Sequence, residues 1–100
     1  MESCENCKKY RETPRGKEET RSLISRINRI KGQVEGIANM LEENRYCGDV
    51  LIQITAAESA LRSLGYLIFE EHLATCVAEQ IRRGDENIVK ETVELAKKLN

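Results

Sequence analysis

The sequence predicts an all-α protein with three helices per chain, and three observations lead to that class. A single proline stands in 100 residues rich in Leu, Ile, Glu, Lys, Arg and Ala, the composition of long helices. Leu23, Ile27, Ile30, Val34, Ile37 and Leu41 step by 4, 3, 4, 3 and 4, the spacing of a bundle seam. Residues 49–83 then run without proline and with only Gly65 as an interior glycine. Leu, Ile, Val and Phe together number 24, enough for one domain with a small core.

The elements follow in order. Residues 1–17 read as a flexible N-terminal arm, polar, without apolar period and holding Pro14 and Gly16. Residues 18–100 form the helical domain. The first helix is expected over about 18–44, with Glu18 and Glu19 suiting its positive end. Gly32 and Gly36 weaken it a little, and it should stop near Asn44, before Gly48. Asp49 is a good N-cap for a second helix, over about 49–83, which Gly84 ends. Such a helix is long, at roughly 35 residues and about 50 Å. Asp85 then caps a third helix over about 85–98, with Ile88, Val89, Val93, Ala96 and Leu99 as its apolar side.

The long second helix has a consequence for assembly. Partners of about 27 and about 14 residues are too short to cover it. Ile54, Leu61, Leu64 and Ile68 would stand in water as an apolar stripe. A homodimer removes the difficulty, with helices 1 and 2 of two chains building an antiparallel four-helix bundle.

Composition narrows the function. No apolar run approaches the ~20 residues of a membrane span, and no signal-peptide pattern opens the chain. The expectation is a cytoplasmic protein with no membrane partner, whose four cysteines serve as thiols for metal or redox chemistry. The net charge of −1 hides an asymmetry. Residues 1–31 carry nine basic against five acidic groups, and residues 32–100 carry seven against twelve. A basic end on an acidic body suits a polyanion partner, although a solvated tail would look the same.

His72 is the only histidine, and Cys76 follows it by four residues. On one helical face the pair presents a nitrogen and a thiolate to a single metal ion. A third ligand is wanted, and Cys47 stands just before the expected start of the same helix. Within one chain that helix holds Cys47 away, because the 23 steps from Asp49 to His72 span about 35 Å. In an antiparallel pair of second helices, Cys47 of one subunit lies opposite His72 and Cys76 of the partner subunit. Two identical sites result, each shared between subunits. Burial and ligand chemistry therefore ask for the same arrangement. Two thiolates and one imidazole form a soft, low-coordinate set that suits Cu(I), whereas zinc usually takes a fourth ligand. Glu71 adjoins His72, but one helical step turns it about 100° off the ligand face. The plainer reading of these residues is a satisfied core histidine beside a cysteine acting as a small hydrophobe.

The stretches "RINRIKGQVEGI" at 26–37, "RYCGDVLIQI" at 45–54 and "EEHLATCVAEQIRRGD" at 70–85, with the spacing C-x24-H-x3-C, carry a resemblance. Over about residues 18–99 the chain resembles the copper-sensitive operon repressor (CsoR) family of metal- and thiol-sensing transcriptional repressors. The resemblance implies an all-helical dimer of dimers, a homotetramer that binds operator DNA without a helix-turn-helix and is not an enzyme. It implies Cu(I) as the metal, with Cys47 from one protomer and His72 and Cys76 from the other in a trigonal site. Tyr46 then matches a tyrosine beside the first ligand. Glu91 matches a glutamate of the third helix in the same hydrogen-bonding network, allowing a one-residue gap after Gly84. Nickel and cobalt sensors of the family use additional histidines, which argues for copper here.

Arg26, Arg29 and Lys31 are the candidate DNA contacts, Arg26 by resemblance to a basic residue implicated in operator binding. Positions 26 and 29 share a face offset from the Ile27/Ile30 seam, so they can meet phosphates while the seam stays packed. Lys8, Lys9, Arg11 and Arg15 could add a flexible electrostatic contribution. A further family arginine falls at Ser63, with Arg62 one place away and so turned by about 100°. The expectation is a Cu(I)-responsive repressor that releases operator DNA on binding copper. The alternative is a thiol- or persulfide-sensing repressor that uses Cys47 and Cys76. A rival from another class, a thiol oxidoreductase centred on Cys4 and Cys7, lacks the strand–helix context of such motifs.

Overall fold

The computed structural model describes residues 14–99, which hold three uninterrupted helical stretches and, among the described residues, no strand. These are α1 (Lys17–Glu42), then α2 (Cys47–His72) continued by a π-helical turn (Leu73–Val77) and α3 (Ala78–Arg82), and finally α4 (Ile88–Lys98). The all-α class with three helices is as the sequence predicts. Residues 1–13 of the expected arm lie outside the described residues. The chain divides into two units, one of Gly16–Leu64 and one in which Arg15 joins the chain from Gly65 onward.

In the first unit α1 starts without a side-chain cap, as the Thr20 N–H donates to the Gly16 carbonyl at 3.0 Å. Glu18 and Glu19 lie in its first turn, where the helix dipole favours them. It ends where the sequence places the stop. Asn44 adopts a left-handed conformation at φ 55°, and the Asn44 and Arg45 N–H groups donate to the Leu41 and Met40 carbonyls. Asparagine tolerates that conformation, and the two bonds satisfy carbonyls that a helix end otherwise leaves open.

The start of α2 corrects the expectation of an N-cap at Asp49. The Tyr46 carbonyl accepts from the N–H groups of Asp49 and Val50, at 3.1 and 3.2 Å, so the helix begins at Cys47. Asp49 sits in the first turn instead. A carboxylate is favourable anywhere in that turn, so its charge does not fix the register.

Ile30, Val50, Ala57 and Leu64 are the buried apolar residues of this unit, and the last three step by seven along α2. Leu64, expected in the exposed stripe, is 4% exposed and belongs to the inner one. Ile54, Leu61 and Ile68 do stay exposed, again seven apart on α2, as do Val34 and Leu41 of the α1 seam. The sequence gives the heptad spacing of both stripes, but only packing decides which one a single chain covers.

In the second unit the expected continuous α-helix is interrupted. Residues 73–77 widen into a π turn between α2 and α3. The Thr75 hydroxyl donates to the Glu71 carbonyl at 2.8 Å, a side-chain bond of the kind that disturbs the helical ladder. Gly84 ends α3 at φ +83°, with its own N–H and that of Asp85 donating to the Ile81 and Gln80 carbonyls. A side chain at that φ would be strained, which is why glycine stands there.

Asp85 accepts from the Asn87 N–H at 2.9 Å, so it caps a turn, and α4 itself begins three residues later than expected, at Ile88. Val77, Gln80 and Ile88 are buried, and the π turn packs against α4. On α4 the covered side carries Ile88, Thr92, Ala96 and Leu99, while Val89 and Val93 are exposed, contrary to expectation. The Thr92 hydroxyl donates to the Ile88 carbonyl at 2.7 Å, which lets a polar residue occupy the covered side.

Candidate metal centre

His72 is the last residue of α2, and Cys76 lies inside the π turn that follows. The two were expected one turn apart on a regular α-helix. The wider π turn closes its hydrogen bonds one residue later, so four residues rotate less than in an α-helix. Both side chains nevertheless line one cavity of about 410 Å³, walled by Ile68, Phe69, Leu95 and Leu99. Both residues are half-buried. An imidazole and a thiol thus line one largely apolar cavity, an arrangement compatible with metal ligation or with thiolate chemistry. π turns recur at functional sites, which fits the placement of this one.

Cys47, the first residue of α2, is an exposed free thiol, and Cys76 is a half-buried one. Tyr46, 75% exposed, lays its ring over the backbone at Gly48. A Cβ on residue 48 would come within 2.5 Å of the ring carbon Cε2, so only glycine admits this approach. The ring thereby borders the turn that presents Cys47.

Among the described residues, no three His, Cys, Asp or Glu side chains gather within the chain as a metal-holding group. The cavity offers two soft donors, short of the number that saturates zinc. That donor chemistry fits a soft ion needing one more thiolate. Glu91 is exposed and lines a separate groove on α4 with Lys90, Glu94 and Lys98.

Two residues that sequence reasoning passed over do line the His72/Cys76 cavity. They are Glu71 and Arg15, joined by an ion pair of 2.5 Å between Arg15 Nε and Glu71 Oε1. The one-step rotation from His72 set Glu71 aside, and a partner 56 residues away leaves no sequence signal. Arg15 was grouped with the basic arm. Of that arm, Cys4, Cys7, Lys8, Lys9 and Arg11 lie outside the described residues.

Arg26, Arg29 and Lys31 are all exposed on α1, with Ile30 buried among them. The basic groups therefore face solvent while the seam residue packs, the separation that phosphate contact requires. Arg62 and Ser63 are exposed on α2. Among the described residues, no helix is long and apolar enough to cross a membrane.

Fold and cavity together define an all-helical protein that presents an imidazole–thiol pair at the end of its long helix and a basic face on its first. The chain belongs to the metal-sensitive transcriptional repressor family, whose model matches residues 19–98. This is a family of repressors rather than enzymes. The copper-sensing transcriptional repressor CsoR of Bacillus subtilis (strain 168) is 42% identical over 77 residues, 76% of each chain. The copper-sensing transcriptional repressor RicR of Mycobacterium tuberculosis is 51% identical over 63 residues, 63% of this chain and 66% of that one. The structure of the copper-sensing repressor CsoR with Cu(I) from Geobacillus thermodenitrificans NG80-2 superposes with a TM-score of 0.81 at 44% identity, over 86% of this chain and 91% of that one. The nickel-responsive transcriptional regulator InrS follows at 0.71 and 30% identity, over 88% of this chain and all of the other.

Proposed function

We propose that this protein is a Cu(I)-responsive repressor that binds operator DNA when metal-free and releases it on binding Cu(I). The carrying observation is that His72 and Cys76 line one cavity while Cys47 stands at the opposite end of α2. No turn of an α-helix lets its two ends share one ion, so a set of three donors calls for two chains. Cys47 of one subunit, with His72 and Cys76 of the partner subunit, would hold the ion in each of two equivalent sites. When bound, Cu(I) supplies one soft centre on which these donors converge.

Further support comes from the exposed Ile54, Leu61 and Ile68, the apolar stripe that an antiparallel pairing of α2 helices would cover. Each leucine or isoleucine so covered contributes about 1.5–3 kcal/mol at most. A four-helix dimer, paired again into a tetramer, is the assembly this reading adopts. Tyr46 borders the Cys47 turn, and Glu91 joins the network only through the assembled site. Arg26, Arg29 and Lys31 contact DNA phosphates, and the coupling is reciprocal: DNA weakens Cu(I) binding by the factor by which Cu(I) weakens DNA binding. The likeness to a nickel-responsive regulator does not shift the metal, because two thiolates with the chain's single histidine form a soft set that favours Cu(I) over nickel.

Anaerobic titration with Cu(I), read by X-ray absorption and by release of operator DNA, tests the proposal. The expected result is one ion per chain bound through two sulfurs and one nitrogen, with DNA released in step. Absence of high-affinity uptake refutes it. Release driven by persulfide instead, through a link between Cys47 and Cys76, would favour the thiol-sensing alternative.

A further inference from the structure

Cys76 sits inside a π turn, and a side-chain bond spans that turn. Thr75 Oγ1 donates to the Glu71 carbonyl at 2.8 Å, in a part-buried position. The bond joins the residues that immediately precede the two donors of the cavity, Glu71 before His72 and Thr75 before Cys76. Holding 71 against 75 therefore constrains the separation and angle at which 72 and 76 leave the backbone. Glu71 is held by its side chain as well, because its carboxylate accepts from Arg15 Nε.

Two other threonines make the same bond, and they show what it does. Thr55 donates to the Leu51 carbonyl at 3.0 Å and Thr92 to the Ile88 carbonyl at 2.7 Å, both within regular α-helix. A threonine hydroxyl does not by itself open a turn. At residues 73–77 the backbone ladder is widened, a rare geometry that regular α-helical bonding disfavours. There the hydroxyl is a brace, a side chain inserted where the ladder departs from its regular course. Bracing matters for ligation because donors already held in place need less ordering when an ion binds. Groups that orient ligands in this way tune metal affinity without touching the metal.

We infer that Thr75 is a positioning residue of the metal site: its hydroxyl, bonded to the Glu71 carbonyl, braces the π turn and so sets the Cys76 thiol against the His72 imidazole before the ion arrives. The inference rests on the Cu(I) reading above. Thr75 acts through the backbone and is not itself a ligand.

The test compares the full-length protein with Thr75→Val, which keeps the branched shape and loses the hydroxyl, and with Thr75→Ser, which keeps the hydroxyl. Cu(I) affinity is measured anaerobically by competition with a chelator, and coordination by X-ray absorption. Thr75→Val should bind Cu(I) about 5-fold more weakly, the worth of one hydrogen bond. Its absorption should move from two sulfurs and one nitrogen towards two sulfurs alone, because a soft ion keeps its thiolates when the imidazole is misplaced. Thr75→Ser should restore both the affinity and the nitrogen. A change in coordination that the hydroxyl alone restores is not what a general loss of helix stability produces. Parental affinity and coordination in Thr75→Val, or a defect that Thr75→Ser fails to restore, overturns the inference while leaving the Cu(I) reading intact. Failure of the parental protein to take up Cu(I) would instead strike the Cu(I) reading itself.

Discussion

The two units of the chain prepare their cysteines in opposite ways. In Gly16–Leu64, Cys47 stands exposed at the first position of a regular helix, beside a tyrosine ring laid over a glycine. In the unit from Gly65, Cys76 is half-buried in a π turn, sharing an apolar cavity with His72 and an ion pair. One thiol is offered outward and the other is kept inside a chamber. On the proposed reading, the ligand set is complete only when the offered thiol of one subunit meets the chamber of another.

The largest effect expected from breaking this contrast is at the offered thiol. Cys47→Ala should lower Cu(I) affinity by more than about 100-fold, since partners of ligands alone are worth roughly 10–100-fold. Copper titration against a chelator measures it, and operator release should vanish with it. Next comes the contrast between the two stripes of α2. Leu64→Ala should cost about 2–5 kcal/mol, as for other buried leucines. Leu61, 50% exposed in the single chain, should behave differently. Its alanine variant should lose stability that worsens on dilution, as an interface residue does. Urea denaturation at several protein concentrations separates the two.

Smaller effects follow on either side. Arg26→Ala, on the exposed face of α1, should weaken operator binding and reduce the slope of log affinity against log salt by about 1. Copper affinity should not move, and equal repression by the variant would displace the DNA face from α1. In the other unit, Thr75→Val removes the hydroxyl bond to the Glu71 carbonyl. A single hydrogen bond of this kind is worth about 1 kcal/mol, so thermal unfolding should shift only a little.

The parts of this molecule legible in sequence are those that periodicity and special residues decide. A first helix that stops near Asn44 and Gly84 as the end of the second helical stretch both follow from local chemistry, and the structure has them, while Val34 and Leu41 of the 4–3 seam stay exposed in the single chain. The start of α2 was misplaced by two residues because Asp49 is favourable at several positions of a first turn. The inner and outer stripes of α2 share the same heptad spacing, so Leu64 could not be told from Leu61 before packing. Val89 and Val93 were misassigned because a threonine that bonds its own helix can hold a covered position on α4. The π turn had no pattern to betray it, as Leu-Ala-Thr-Cys-Val suits an α-helix equally well. His72 and Cys76 were legible as a pair from their spacing. The Arg15–Glu71 contact was not, because its partners lie 56 residues apart.

The central claim is that a site needs Cys47 from one chain and His72 with Cys76 from another. Cys47→Ala and the double variant His72→Ala/Cys76→Ala should each lack high-affinity Cu(I) binding. When the two defective proteins are refolded together, a mixed dimer holds one complete site and one doubly broken site. With random mixing about half the dimers are mixed, so about a quarter of the original copper capacity should return. Zero recovery, with mixed dimers demonstrated in the same sample, would contradict a site shared between subunits and the antiparallel pairing behind it.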